Sequence, residues 1–139
     1  MSPAVWKIDT RELDRIIAGL GAKKRKIVTR QAYILRDNAR NIVPKDTTAL
    51  MRSIHVKTDD DDGSADAYAD ALAHRPGITY EELPDPEGDV IAVVGTGWEY
   101  AEYNEFGTSK MAARPFIGPS AELVRKNLSD PATWKELIE

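Results

Sequence analysis

Cysteine is absent from the 139 residues of the chain. That excludes disulfide staples, thiolate metal sites, iron–sulfur clusters and cysteine nucleophiles. Histidine is nearly as scarce: His55 and His74 are the whole supply, and no His-x-x-x-His pair occurs. A metal site would have to rest on carboxylates alone. No apolar run approaches the roughly 18 residues of a membrane helix. The opening Met1-Ser-Pro-Ala-Val-Trp-Lys lacks the basic start and apolar centre of a signal peptide. No membrane partner and no cofactor are expected.

What remains is 42% hydrophobic and 30% charged, the composition of one soluble domain spanning 1–139. The net charge of −4 hides a split. Residues 1–58 carry 13 Lys/Arg against 5 Asp/Glu, a balance of +8, and residues 59–139 carry 6 against 18, a balance of −12. Such asymmetry suits a nucleic-acid surface, or a basic face meeting an acidic face on another copy. The alternative is that the two halves neutralise one another within one fold.

Local patterns predict an α+β fold: a long N-terminal helix on a small antiparallel sheet, C-terminal helices and a long flexible loop. Residues 9–20 read as a short helix capped by Asp9 or Thr10, with Leu13, Ile16, Ile17 and Leu20 on one face and Gly19 and Gly21 at its end. Residues 22–43 read as the main helix. Ile27, Val28, Leu35, Ala39 and Ile42 line one side, helped by Ala32 and Tyr33, and Pro44 stops it. A strand is predicted near 52–58, and residues 59–88 as a flexible insertion with a helical turn or two around 65–73. Val90–Gly95 is the clearest strand and pairs with 52–58. Trp98–Phe106 reads as helix with Gly107 just past its end. Pro119 suits the first position of a helix over 119–128. Asp130-Pro131 starts a short terminal helix with Trp134, Leu137 and Ile138 on one face.

Motifs for known chemistry fail on inspection. With Gly63 at position 6 of a calcium loop, Thr58 and Ala69 stand where acids are required. Gly95-Thr96-Gly97 follows a strand, yet Tyr100 replaces the third glycine of a dinucleotide fingerprint. Nothing orients a Ser–His–Asp triad or singles out a carboxylate pair. No catalytic residue is assigned. Lys23, Lys24, Arg25, Lys26, Arg30, Arg36 and Arg40 on the main helix are the candidates for a charged interface or a DNA-facing surface.

One signature is specific. Tyr100-Ala-Glu-Tyr-Asn-Glu-Phe-Gly-Thr leads, six residues on, to Arg114-Pro-Phe. It follows a basic helix ending Val43-Pro44, then Asp46-Thr-Thr-Ala-Leu-Met-Arg-Ser-Ile, then a strand ending Val-Gly-Thr-Gly. Together these resemble a family of tailed-bacteriophage neck proteins, the tail-component or head–tail joining proteins of long-tailed phages and prophages. Thr48 departs from the glycine usual in that family's Asp-x-Gly turn.

The resemblance implies a non-enzymatic α+β subunit of the virion, made in the host cytoplasm. Such subunits assemble as a homo-oligomeric ring between the head-closure or connector proteins and the tail, with DNA passing through the lumen. It makes Tyr100, Tyr103, Glu105, Phe106, Gly107, Thr108, Arg114, Pro115 and Phe116 the signature residues. Phe106 and Phe116 are expected to pack the last helix on the sheet, and Glu105 to pair with Arg114, within the subunit or across to the next one. The basic helix 22–43 is expected to meet acidic surface from 81–105 of a neighbour, or the DNA channel. The competing reading is a small nucleic-acid-binding module that uses this helix. A hydrolase or metal enzyme working through carboxylates is a third, with no residue pointing to it.

Overall fold

The computed structural model describes residues 4–9, 21–45 and 48–138. The fold is α+β. Its sheet has three strands in the order β1 (Ala4–Asp9), β3 (Val90–Thr96), β2 (His55–Lys57), with both neighbours antiparallel to β3. Val5 and His55 flank Gly95, and Trp6 and Val56 flank Val94. The pairing of β2 with β3 follows the prediction. β1 does not: Asp9, the first residue of the helix expected over 9–20, is the last residue of that strand. Its Ala-Val-Trp-Lys-Ile-Asp run has no strict alternation, and pairing with the central strand decides its form. The helix expected over 10–20 lies outside the described residues, as does the side chain of Ile138.

The main helix, α1 (Gly21–Ile42), buries Ile27, Val28, Gln31, Ala32, Leu35 and Ala39. Its 22 residues make a rod of about 33 Å. Ile42 departs from the expected face and is 46% exposed. Four residues after Ala39, Val43 continues the buried stripe, and its amide still donates to the Ala39 carbonyl at 3.0 Å. Next comes α2 (Ala49–Ser53), where a strand was expected to begin. Leu50 and Ile54 are four residues apart and both buried, which is helical spacing. Thr48 precedes it in the left-handed region at φ 61°, the conformation that a glycine there would adopt without strain.

The acidic segment is not one long loop. It holds α3 (Ser64–His74), packed chiefly on α2 through the buried Ala67 and Ala71. Alanine lets helices pack close because its side chain is a single methyl group. Asp62 starts the helix by accepting the Ser64 amide at 2.9 Å. Past α3 the chain crosses the end of β3. Tyr80 bridges Trp98, and Glu81 donates its amide to the Gly97 carbonyl at 3.1 Å. Gly97 also donates to the Tyr68 hydroxyl, which itself donates to the Glu81 carbonyl. A Cβ on Gly97 would lie 1.7 Å from the Glu81 carbonyl oxygen. The second glycine of Gly-Thr-Gly therefore serves a close backbone approach.

α4 (Glu99–Phe106) follows, then α5 (Ile117–Ser129) and a 3₁₀ helix (Pro131–Ile138). α5 runs antiparallel to α1, pinned by Asn38 to Ser120 at 3.0 Å and Asn127 to Gln31 at 2.9 Å. Pro119 is the third helical residue, two positions later than expected. Asp130 caps the last helix as predicted, accepting the Ala132 amide at 3.0 Å. Leu137 is buried, and Trp134 packs on the α1–sheet–α5 cluster.

The core divides into two ends. One gathers Ala39, Val43, Leu50, Ile54, Trp98 and Phe116; the other gathers Val28, Leu35, Val56, Ile91, Val94 and Val124. Gly97→Ala forces the two backbones apart and is expected to cost about 2–3 kcal/mol. Urea unfolding checks this as a lower midpoint with an unchanged slope.

Candidate assembly site

The signature converges on the start of α5. A helix N-terminus leaves its first amides without carbonyl partners. Glu105, near the end of α4, supplies the acceptor. Its carboxylate takes the amides of Phe116 at 3.1 Å, Ile117 at 2.7 Å and Gly118 at 3.2 Å. The next residue, Pro119, has no N–H to satisfy. One side chain and one proline thus complete the terminus, and the negative charge sits where the helix dipole favours it. Within the chain these bonds take the place of the expected Glu105–Arg114 pair. Arg114 is exposed and contributes its backbone amide, which donates to the Asn104 carbonyl at 2.7 Å.

The connection between α4 and α5 is tied at several points. Gly107 has φ 76°, as its place after the helix predicts, and donates to the Tyr103 carbonyl at 2.8 Å. A Cβ there would meet the Ala113 amide nitrogen at 2.8 Å. Thr108 and Met111 exchange backbone bonds at 2.8 and 3.4 Å, closing a small turn. Asn104 is fully buried and donates to the Tyr100 carbonyl at 3.0 Å. Tyr103 donates to Glu99 at 2.5 Å, and Tyr100 leans on Trp98 with ring centres 5.2 Å apart. Phe116 is fully buried and packs the end of α5 into the core, as expected.

Phe106 does not. It is 73% exposed, the most exposed of the large hydrophobic side chains among the described residues. Its neighbours on both sides are fixed, Glu105 by the cap and Gly107 by its turn, so the ring is held outward from a rigid base. Ile42 lies at the same end. It is one turn past Asn38, which bonds Ser120 in the first turns of the antiparallel α5. The exposure of Ile42 was not legible in the helical pattern. Pro115, Lys110 and Arg114 are exposed along the same connection.

The charged residues of α1 are distributed differently from expectation. Arg40 is not available to a partner: it is partly buried and donates twice to the Ile54 carbonyl, at 2.6 and 3.0 Å, and once to that of Arg52. Arg25 forms a two-pronged pair with Asp59 at 2.6 and 3.0 Å. Arg36 pairs with Asp37 and lies over the Tyr33 ring at 4.6 Å. Lys23, Lys26 and Arg30 are exposed and Lys24 partly so. Arg52–Asp70 at 3.0 Å and Lys57–Asp85 at 2.8 Å also join the basic half to the acidic half. The split in the sequence thus closes partly on itself within one chain.

His55 sits where α1, α2, β2 and α3 meet, lining a cleft of about 480 Å³ that also takes in Arg36, Asp66 and Asp70. The residue is 3% exposed. Its Nδ1 lies 2.8 Å from the Ser53 carbonyl, which only accepts, so Nδ1 carries the proton. Nε2 is left as a buried lone pair without a hydrogen-bond partner among the described residues. The Tyr68 ring meets it edge-on at 5.0 Å. His74 instead lies exposed on α3, with Nδ1 3.0 Å from the Asp70 carbonyl. The acids of 59–62 are engaged locally, Asp60 with Thr58 and Asp61 with Tyr33. Among the described residues no group of three or more His, Cys, Asp or Glu is placed to hold a metal ion. No helix there is long and apolar enough to cross a membrane.

Comparisons with protein-family models, curated proteins and solved structures return no match.

Two measurements probe this geometry. Glu105→Ala strands three amides and is expected to cost about 1–2 kcal/mol, with Glu105→Gln costing less and Arg114→Ala within about 0.5 kcal/mol. Urea midpoints of the three variants rank them, and an equal loss in Arg114→Ala would restore the pair. Burial pushes the His55 imidazole below its ordinary 6.5. The unfolded chain then binds a proton that the folded chain refuses, so stability rises with pH across this window. It is expected to fall as pH drops from 6.5 towards the lower folded value. His55→Gln should flatten that slope between about pH 7 and 5.5, above the ordinary carboxylate range.

Proposed function

We propose that the chain is a structural subunit of a phage head–tail junction. It assembles as a ring between head connector and tail, with Phe106 meeting the next subunit or a neck partner. One observation carries this reading. Glu105, Gly107, Arg114 and Phe116 each have a structural role inside the subunit, whereas Phe106 is turned out to solvent. An aromatic side chain on a fixed base suits an interface anchor, because little conformational freedom is lost on docking. The resemblance of the surrounding motifs to neck proteins supplies the class of assembly, and head-closure, connector and tail proteins are the partners it implies. DNA in the lumen is the further contact proposed for such a ring.

Light scattering behind a sizing column, run against concentration and salt, tests the proposal. The wild-type chain is expected to form a discrete multimer as concentration rises. Phe106→Asp is expected to stay monomeric with an unchanged urea midpoint, since the side chain is exposed in the subunit. Removing a ring buried only in the assembly costs about 2 kcal/mol per contact, or roughly 30-fold in affinity. A variant that assembles like the wild type removes Phe106 from the interface. A wild-type chain that is monomeric at every concentration and salt overturns the self-assembling ring.

A further inference from the structure

Arg25, Tyr33 and Arg36 recur on one side of α1, within about 80° of each other at 100° per residue. Thr58 to Asp62 runs across this side. Its end is anchored: the Asp62 carboxylate takes the Ser64 amide at 2.9 Å and lies 3.8 Å from the Lys57 ammonium. The middle of the run faces the helix. Asp59 makes the two-pronged contact with Arg25, and Asp61 accepts the Tyr33 hydroxyl at 2.9 Å.

A guanidinium fork binds carboxylate and phosphate in the same planar manner. A tyrosine hydroxyl donates equally to either oxygen. The Arg25–Asp59 pair is also open to solvent, with side chains 43% and 56% exposed. Such pairs hold weakly and exchange readily for another anion. Arg36, whose guanidinium also pairs with Asp37 at 2.8 and 2.9 Å, stacks over Tyr33 and adds a flat surface beside the fork.

We propose that the Arg25–Tyr33–Arg36 side of α1 binds the phosphate backbone of nucleic acid, and that Asp59 and Asp61 occupy it as phosphate mimics. The bare subunit is then a poor nucleic-acid binder despite its basic helix, and displacement of the acidic run exposes the site. This goes beyond the ring assembly and does not depend on it, because it is read on dilute monomer.

The test is fluorescence anisotropy with a labelled DNA duplex at roughly 50–200 mM salt. Asp59→Asn/Asp61→Asn is compared with Glu82→Gln/Glu87→Gln, which changes net charge equally at exposed residues outside the 59–62 run. The first variant is expected to bind at least about tenfold more tightly than both wild type and control, with a steeper salt slope. Adding Arg25→Ala to it is expected to abolish the gain. Equal gains in both double variants would reduce the effect to net charge and overturn the proposal, as would no gain in either. Should the double Asn variant lower the folded population, Asp59→Asn alone, at a solvent-exposed pair, is read in the same way.

Discussion

The start of α5 demands three hydrogen-bond acceptors, and a single carboxylate supplies them. Glu105 belongs to α4, so its bonds to Phe116, Ile117 and Gly118 fix one helix against the next. Much follows from that bond set. It places Phe116 in the core, where it meets Leu50, Ile54 and Trp98. It brings Arg114 within reach of the Asn104 carbonyl, which fixes the length and path of the connection. It also fixes the ground from which Phe106 projects. Charge-assisted bonds of this kind are stronger than neutral ones, and here three share one acceptor group.

Charge is the second constraint. A basic N-terminal half and an acidic C-terminal half suggest two opposed molecular faces. In the fold they interleave, because β2 brings Lys57 beside Asp62 and Asp85, while α1 lies along Asp59 and Asp61. Surface pairs of this type contribute little stability each, about 0–1 kcal/mol. Their larger effect is on recognition: they cancel the long-range field that would otherwise steer the subunit to a polyanion.

The sequence made the long helix, the central strand and the helix ending at Gly107 legible, because each has an uninterrupted local pattern or a stop residue. It hid whatever depends on partners distant in the chain. β1 is a strand because β3 pairs with it over Ala4–Asp9, which no local alternation announces. α3 is alanine-rich and weakly amphipathic, and its stability comes from packing on α2 and from the Tyr68 bridge to Gly97 and Glu81. Within the chain, two residues of the motif do other work than expected. Glu105 opposite Arg114 reads as an ion pair unless the α5 terminus between them is counted. Phe106 reads as core because phenylalanine usually is, yet at 100° per residue it falls on the side of α4 away from the buried Ala101 and Asn104.

The two ends of the subunit are unlike. One holds Phe106, Ile42 and the connection bearing Lys110 and Arg114. The other holds the first turns of α1 with the aspartates that partly neutralise them. A two-fold contact places the same patch on both partners, whereas a contact between unlike ends propagates and closes into a ring when the rotation permits. An apolar knob beside two cations brings like charges together where it meets its own copy at the axis of a two-fold contact. It complements a surface that is acidic and contains an apolar recess. Under the ring proposed above, that surface lies on a neighbouring copy or a neck partner, which makes the contact heterologous.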